Sequence, residues 1–228
     1  MNAFYNPPTD EEFKTAKEIC EFLLYFEPHE IITELGIVWV DAGAEKEVYT
    51  SPELPGWVIK IGNESCFYEA QNYAQAKEAG LEEFFAPSYY IMEGVKEYGD
   101  EEHSMVVTNY FTMQRYVICD SDLNTSKIDD FIEENFFTDE DRESIESGKV
   151  EEYEILEAYR EDFADIENVD ILIGFSSSDV REKFEEFCDE LSINDIHTGN
   201  FGFSVEIGSN VIVDYSGYHN WENFGKIA

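Results

Sequence analysis

Thr9 and Glu12 stand three positions apart, just ahead of Phe13, Ala16, Cys20, Leu23 and Leu24, apolar positions that recur every three or four residues. That spacing predicts a capped amphipathic helix over about 10–26, stopped before Pro28. HEIITELG, residues 29–36, reads as a second short helical segment that ends on Gly36, a residue suited to a C-terminal cap. From Ile37 the pattern changes. IVWVDAG, EVYT and WVIKIG are rich in β-branched and aromatic residues, with a turn through SPELPG before the last of them. An antiparallel meander is expected there.

Helical spacing returns in ESCFYEAQNYAQAKEAG, where Phe67, Ala70, Tyr73, Ala74 and Lys77 fall on one face and Gly80 closes the segment. YYIMEGV and SMVVTNYF predict two more strands, joined by the charged hairpin KEYGDEEH. Residues 126–190 are expected to be mainly helical, with TDEDRESIESGK as an exposed connection. After Leu191 come a polar loop, SINDIHTGN, and two short strands, FGFSVE and NVIVDY. The order implies an α+β protein: an N-terminal helical segment at 1–36, a β-rich lobe with one helix at 37–118, and an acidic helical lobe at 119–228. A ligand is expected in the cleft between the lobes.

Composition changes this picture in one respect. Of the 228 residues, 52 are acidic and 14 basic, a formal charge of -38. A field of that sign disfavours direct nucleic-acid binding and anionic membranes, and attracts divalent cations and basic proteins. With 43% hydrophobic and 15% aromatic residues, the chain is nonetheless expected to fold. No apolar run is long enough to span a bilayer, and the start has no basic region followed by an apolar stretch, so a cytoplasmic location is expected. Cys20, Cys66, Cys119 and Cys188 lack any zinc-type spacing and are expected to be buried, reduced thiols. Trp39, Trp57 and Trp221 are read as packing residues, and His29, His103 and His219 as surface or core histidines.

The polar loop carries the chemistry. Phosphoryl transfer needs a carboxylate to orient the acceptor, oxygen ligands for magnesium and a cation against the phosphates. Asp195 suits the first role, and Asn200 and Asp214 suit the second, because Mg²⁺ prefers hard oxygens. Read one by one, Asp195 and Asn200 also suit turn formation, and Asp214 suits the end of a strand.

In its order of elements and in D-I-H-T-G-N, Asp195 to Asn200, the chain resembles the protein kinase-like superfamily, most nearly its aminoglycoside phosphotransferase-like branch, whose catalytic loop has the form D-x-H-x-x-N. The resemblance covers roughly 37–218, with the catalytic-loop-like segment at 192–218. It implies a two-lobed kinase-like fold with Asp195 as catalytic residue and a metal on Asn200 and Asp214. It also implies that Lys60 of W-V-I-K, held by Glu69 of F-Y-E-A-Q, faces the phosphates of ATP, with His197 and Gly43 beside the nucleotide. At the three positions of the family's glycine-rich loop stand Asp41, Gly43 and Lys46, so one glycine is kept. Ile193 stands where protein kinases have a histidine.

Two classes of function are therefore expected from the sequence. One is a Mg-ATP-dependent phosphotransferase, or a degenerate relative that binds nucleotide or metal. The other is a non-enzymatic acidic inhibitor that mimics DNA and blocks a basic partner, such as a DNA-binding protein or nuclease. Carboxylates beside apolar anchors over about 129–170 motivate the second, and in size and charge the chain is similar to small inhibitors made by viruses of bacteria.

Overall fold

The computed structural model describes residues 5–25, 36–42, 46–99, 104–161 and 165–217. The short helix expected at 29–35, Gly43, the three histidines 29, 103 and 219, and Trp221 lie outside the described residues. Helix α1, Asp10–Tyr25, begins as the spacing predicts: the Glu12 carboxylate accepts from the Thr9 backbone N–H at 2.6 Å, and Thr9 Oγ1 accepts from the Glu12 N–H at 3.2 Å. These contacts satisfy donors that the first turn leaves without helical partners.

Strands β1 (Val38–Ala42), β2 (Lys46–Thr50) and β3 (Trp57–Gly62) are followed by helix α2 (Glu64–Ala79) and by the long strands β4 (Ser88–Gly99) and β5 (Ser104–Arg115). They form one sheet in the order β1-β2-β3-β5-β4, antiparallel throughout. Side chains alternate across it. Tyr49, Ile59, Phe111 and Met113 point to one face, where they share a core with Ala16, Ile19, Cys20, Leu23 and Leu24 of α1. Gly94 on β4 admits this packing, because a β-carbon there would lie 2.6 Å from the Leu24 side chain. On the other face sits α2, capped by Asn63, which accepts from the Ser65 N–H at 2.8 Å, and closed by Gly80 at φ 70°.

A short strand β6 (Ile118–Cys119) leads into helices α3 (Ser121–Asn135), α4 (Asp139–Glu146), α5 (Glu152–Glu161), α6 (Asp165–Leu172) and α7 (Ser178–Leu191). Strands β7 (Phe201–Ser204) and β8 (Ser209–Ile212) complete a three-stranded antiparallel sheet with β6. Ile128, Ile132, Val169 and Phe184 from these helices form a second core with Phe85, Phe201, Ile212 and Tyr215. Tyr73 and Ala76 of α2 join the same core, and Tyr89 of β4 packs against both cores, so α2 and β4 tie the two parts together.

Several expectations are corrected. The stretch at 138–149 contains α4, because Thr138 and Asp141 exchange a reciprocal capping box that starts a helix even though none of its residues is buried. Strands β4 and β5 extend into the charged hairpin and past Phe111, since each continues to pair with the other along its length. Trp39 packs against nothing deep: β1 is an edge strand whose five residues are all exposed. Cys20, Cys66 and Cys188 are buried free thiols, but Cys119 is exposed on the edge strand β6. Among the described residues no helix is long and apolar enough to cross a membrane.

Candidate functional site

Sheet register decides which side chains meet. Val48 lies opposite Lys60, Lys60 opposite Thr112, and Val58 opposite Gln114, so these residues share the face turned away from α1. Lys46 is two positions from Val48 on β2 and therefore points to the same side. Glu69 reaches this face from α2 and is fully buried. Its carboxylate accepts from Lys60 Nζ at 2.9 and 3.1 Å, from Lys46 Nζ at 2.8 Å, from Gln114 Nε2 at 2.7 Å and from Ser88 Oγ at 3.3 Å. A buried carboxylate persists as an ion only when it is paired and hydrogen-bonded in this way.

The second part of the site arrives with the chain after β8. Lys60 Nζ donates to the Val213 carbonyl at 2.6 Å, as does Gln114 Nε2 at 3.0 Å. Asp214 follows, and its Oδ1 accepts from Lys46 Nζ at 2.5 Å. Asn72 Nδ2 of α2 donates to the Tyr215 and Ser216 carbonyls at 2.8 and 3.1 Å, which holds the same segment from behind. Burial works against the charge on Lys46, yet Glu69 and Asp214 outweigh it and hold the ammonium above the ordinary lysine range. At Asp214 burial favours the protonated form, but Lys46 and Lys60 overcome it and hold the carboxyl below its usual range.

The loop at 192–200 is pinned at its apolar positions. Ile193 and Ile196 are buried, while the side chains of Asp195 and His197 are 73% and 58% exposed. Asn200 Nδ2 donates to the Asp195 carbonyl at 2.6 Å, and the Val213 N–H donates to the Asn200 carbonyl at 2.8 Å, so the loop is stitched to the segment that carries Asp214. Buried Asn124 of α3 supports it from below, donating to the Thr198 and Phe201 carbonyls at 3.0 and 3.2 Å. His197 Nδ1 accepts from the Gly199 N–H at 3.1 Å, a local turn contact that leaves its ring at the surface.

Between the two parts lies a cleft of about 700 Å³. Lys46, Lys60 and Asp214 line it on one side and Asp195, His197 and Asn200 on the other, with Val40, Val48, Val58 and Val117 giving it an apolar wall. Of the residues singled out in the sequence, the structure thus brings Lys60, Glu69 and Asp214 into one bonded cluster. It sets Asp195, His197 and Asn200 across the same cleft.

A divalent cation on Asn200 and Asp214 would meet an ammonium at the second of them. Asp214 Oδ1 already accepts from the Lys46 ammonium, while Asn200 donates through Nδ2 to the Asp195 carbonyl, which leaves its Oδ1 outside that bond. Among the described residues no group of three or more His, Cys, Asp and Glu side chains is placed to hold a metal.

Sequence reasoning placed Lys46 only as the residue standing at a glycine position, and it missed Gln114, Ser88 and Asn72. Lys46 carried one signal: a lysine at the start of a strand, two positions before the residue that pairs with Lys60. Gln114, Ser88 and Asn72 carried none, since a lone amide or hydroxyl in a strand or helix is commonplace.

No family model matches the chain, and no curated protein matches it. Among solved structures, one described as "ROP18 kinase domain in complex with AMP-PNP and sucrose" is similar at 14% identity, over 95% of this chain and 68% of that chain, with a TM-score of 0.37. A likeness of that size carries no argument about this chain. The chain is a mixed α+β protein with two antiparallel sheets and seven α-helices among its described residues.

Proposed function

We propose that this chain is a kinase-like protein that binds a nucleotide in the cleft, with Lys60, held by Glu69, as the cation that faces the phosphates. The observation that carries the reading is the convergence of Lys60 on β3, Glu69 on α2 and the distant Val213–Asp214 segment beside one wall of a cleft. The valines of the apolar wall suit a flat base. Asp195, exposed on the opposite side, is the carboxylate that would orient an acceptor hydroxyl if the bound nucleotide is also a phosphoryl donor. Titration with a fluorescent ATP analogue tests the reading. Saturable binding is expected in the wild type, with affinity about tenfold weaker in Lys60→Met, a loss of about 1.4 kcal/mol. Absence of binding, or equal binding by the variant, would overturn it. Phosphate transfer that stops in Asp195→Asn while binding persists would add a transferase activity to the binding role.

A second reading rests on the acidic helices. Helices α3 to α5 expose Leu123, Phe131 and Tyr153 among carboxylates, and Phe136 lies exposed just after α3. Such a surface suits the DNA-binding groove of a basic protein, where the carboxylates replace phosphates and the rings supply anchors. Association with a basic nuclease that weakens steeply between low and high salt would support this role; association indifferent to salt would remove it.

A further inference from the structure

Lys46 has no assigned part in the cleft, yet its ammonium bridges Glu69 Oε2 at 2.8 Å and Asp214 Oδ1 at 2.5 Å, and the residue is only 6% exposed. A magnesium ion on Asp214 would need to sit about 2.0–2.1 Å from a carboxylate oxygen. Next to the oxygen that Lys46 occupies, such an ion would face, a few ångströms away, an ammonium whose own side chain is only 6% exposed. The charge balance points the same way. Without Lys46 the Lys60, Glu69 and Asp214 cluster carries one excess negative charge and would repel phosphates until a cation joined it; with Lys46 the charges cancel.

We infer that the Lys46 ammonium stands in for a divalent cation at Asp214, so that the cleft receives its nucleotide free of metal. The nucleotide half of this statement rests on the function proposed above. The exclusion of metal from Asp214 stands on the geometry alone. Lys46 is well made for the part: its backbone is held in β2 opposite Gly62, and its stem is covered. A lysine so placed brings its charge with the fold, whereas a bound ion would have to be taken up from solution.

The test has two arms, run at near-physiological salt so that diffuse cation binding to the acidic surface is low and alike in all variants. In the first, Mn²⁺ binding is followed by electron paramagnetic resonance for the wild type, Asp214→Asn, Lys46→Met and the double variant Lys46→Met/Asp214→Asn. Lys46→Met is expected to gain one site about tenfold tighter than the diffuse background, and the double variant to lose it. The wild type and Asp214→Asn should be indistinguishable, a comparison that decides the question even if the Lys46 variant fails to fold. A wild-type Mn²⁺ site that disappears in Asp214→Asn overturns the inference, as does a folded Lys46→Met that gains no site.

In the second arm, the fluorescent ATP analogue is titrated with EDTA or with excess Mg²⁺. Wild-type affinity within about twofold in the two conditions is expected, and dependence on Mg²⁺ overturns the inference. If the wild type binds no nucleotide in either condition, the proposed function falls, while the Mn²⁺ comparison still decides what Lys46 does.

Discussion

Lys60 and Val213, separated by 153 positions, are joined by a hydrogen bond of 2.6 Å from the lysine ammonium to the valine carbonyl. The bond couples the middle of the five-stranded sheet to the chain just after β8. Since Lys60 also pairs with Glu69 on α2, three elements depend on one another for the charge state of the cleft.

Glu69 is the common acceptor of that network, and its replacement tests how far the fold relies on it. Glu69→Ala leaves two nearly buried ammoniums short of a partner, and a loss of about 3–5 kcal/mol is expected, as for other broken buried ion pairs. Urea unfolding of the purified variant measures this. A loss below about 1 kcal/mol would mean that Lys46 and Lys60 reach water or other acceptors readily, against the burial observed.

The pH dependence follows from Asp214. Its carboxyl is held below its ordinary value, so folded Asp214 binds a proton less readily than unfolded Asp214 does. Its contribution is therefore fully present above the unfolded value of about 3.9 and is lost as pH falls through the lowered folded value. Its side chain is 45% exposed, so solvent screening limits the contribution to about 1 kcal/mol. Wild type and Asp214→Asn should differ by about that much in urea unfolding at neutral pH, and the gap should close as pH drops below about 4. A gap that widens toward acid would contradict the assignment.

Asn124 tests the loop from beneath. It is almost fully buried, donates to two loop carbonyls and accepts from Asn210 Nδ2 at 3.4 Å. Asn124→Ala should cost about 1–3 kcal/mol, the penalty for buried polar groups left without partners. Faster proteolytic cleavage within 192–200 is expected to accompany it. Unchanged protease resistance would show that Ile193 and Ile196 alone hold the loop.

Thiol chemistry distinguishes the four cysteines. Cys119 is exposed and lines the cleft, whereas Cys20, Cys66 and Cys188 are buried. Burial chiefly pushes the Cys66 thiol up, to about 12, which further suppresses its reactive thiolate. A thiol reagent should label Cys119 alone in the native protein, and all four cysteines in denaturant. Saturating nucleotide should slow the native reaction. Equal labelling rates with and without nucleotide would place the ligand away from Cys119.

Much of this could be read in the sequence. The Thr9–Glu12 box, the apolar spacing of α1 and α2 and the closing glycine at 80 are local, since capping and periodicity are complete within a few residues. The polar loop from Asp195 to Asn200 was legible as a candidate from residue type and spacing, and Lys60 and Glu69 through the resemblance to the kinase-like superfamily. The helix at 139–146 was harder to see because its start depends on a single capping box and none of its residues reaches the core.

The sequence by itself determined where most helices and strands run, the excess of carboxylates and the residue types gathered around the cleft. Only the tertiary structure decided which of those charges meet. Lys46 and Asp214 lie 168 positions apart, and nothing in the spacing of either foretells their pairing. It arises because the register of β2 on β3 turns Lys46 to the side of Lys60, while the packing of Tyr215 in the second core and the bonds from Asn72 bring Asp214 up to meet it. A long-range contact of this kind is set by pairing and packing across the whole fold, which local residue patterns do not encode.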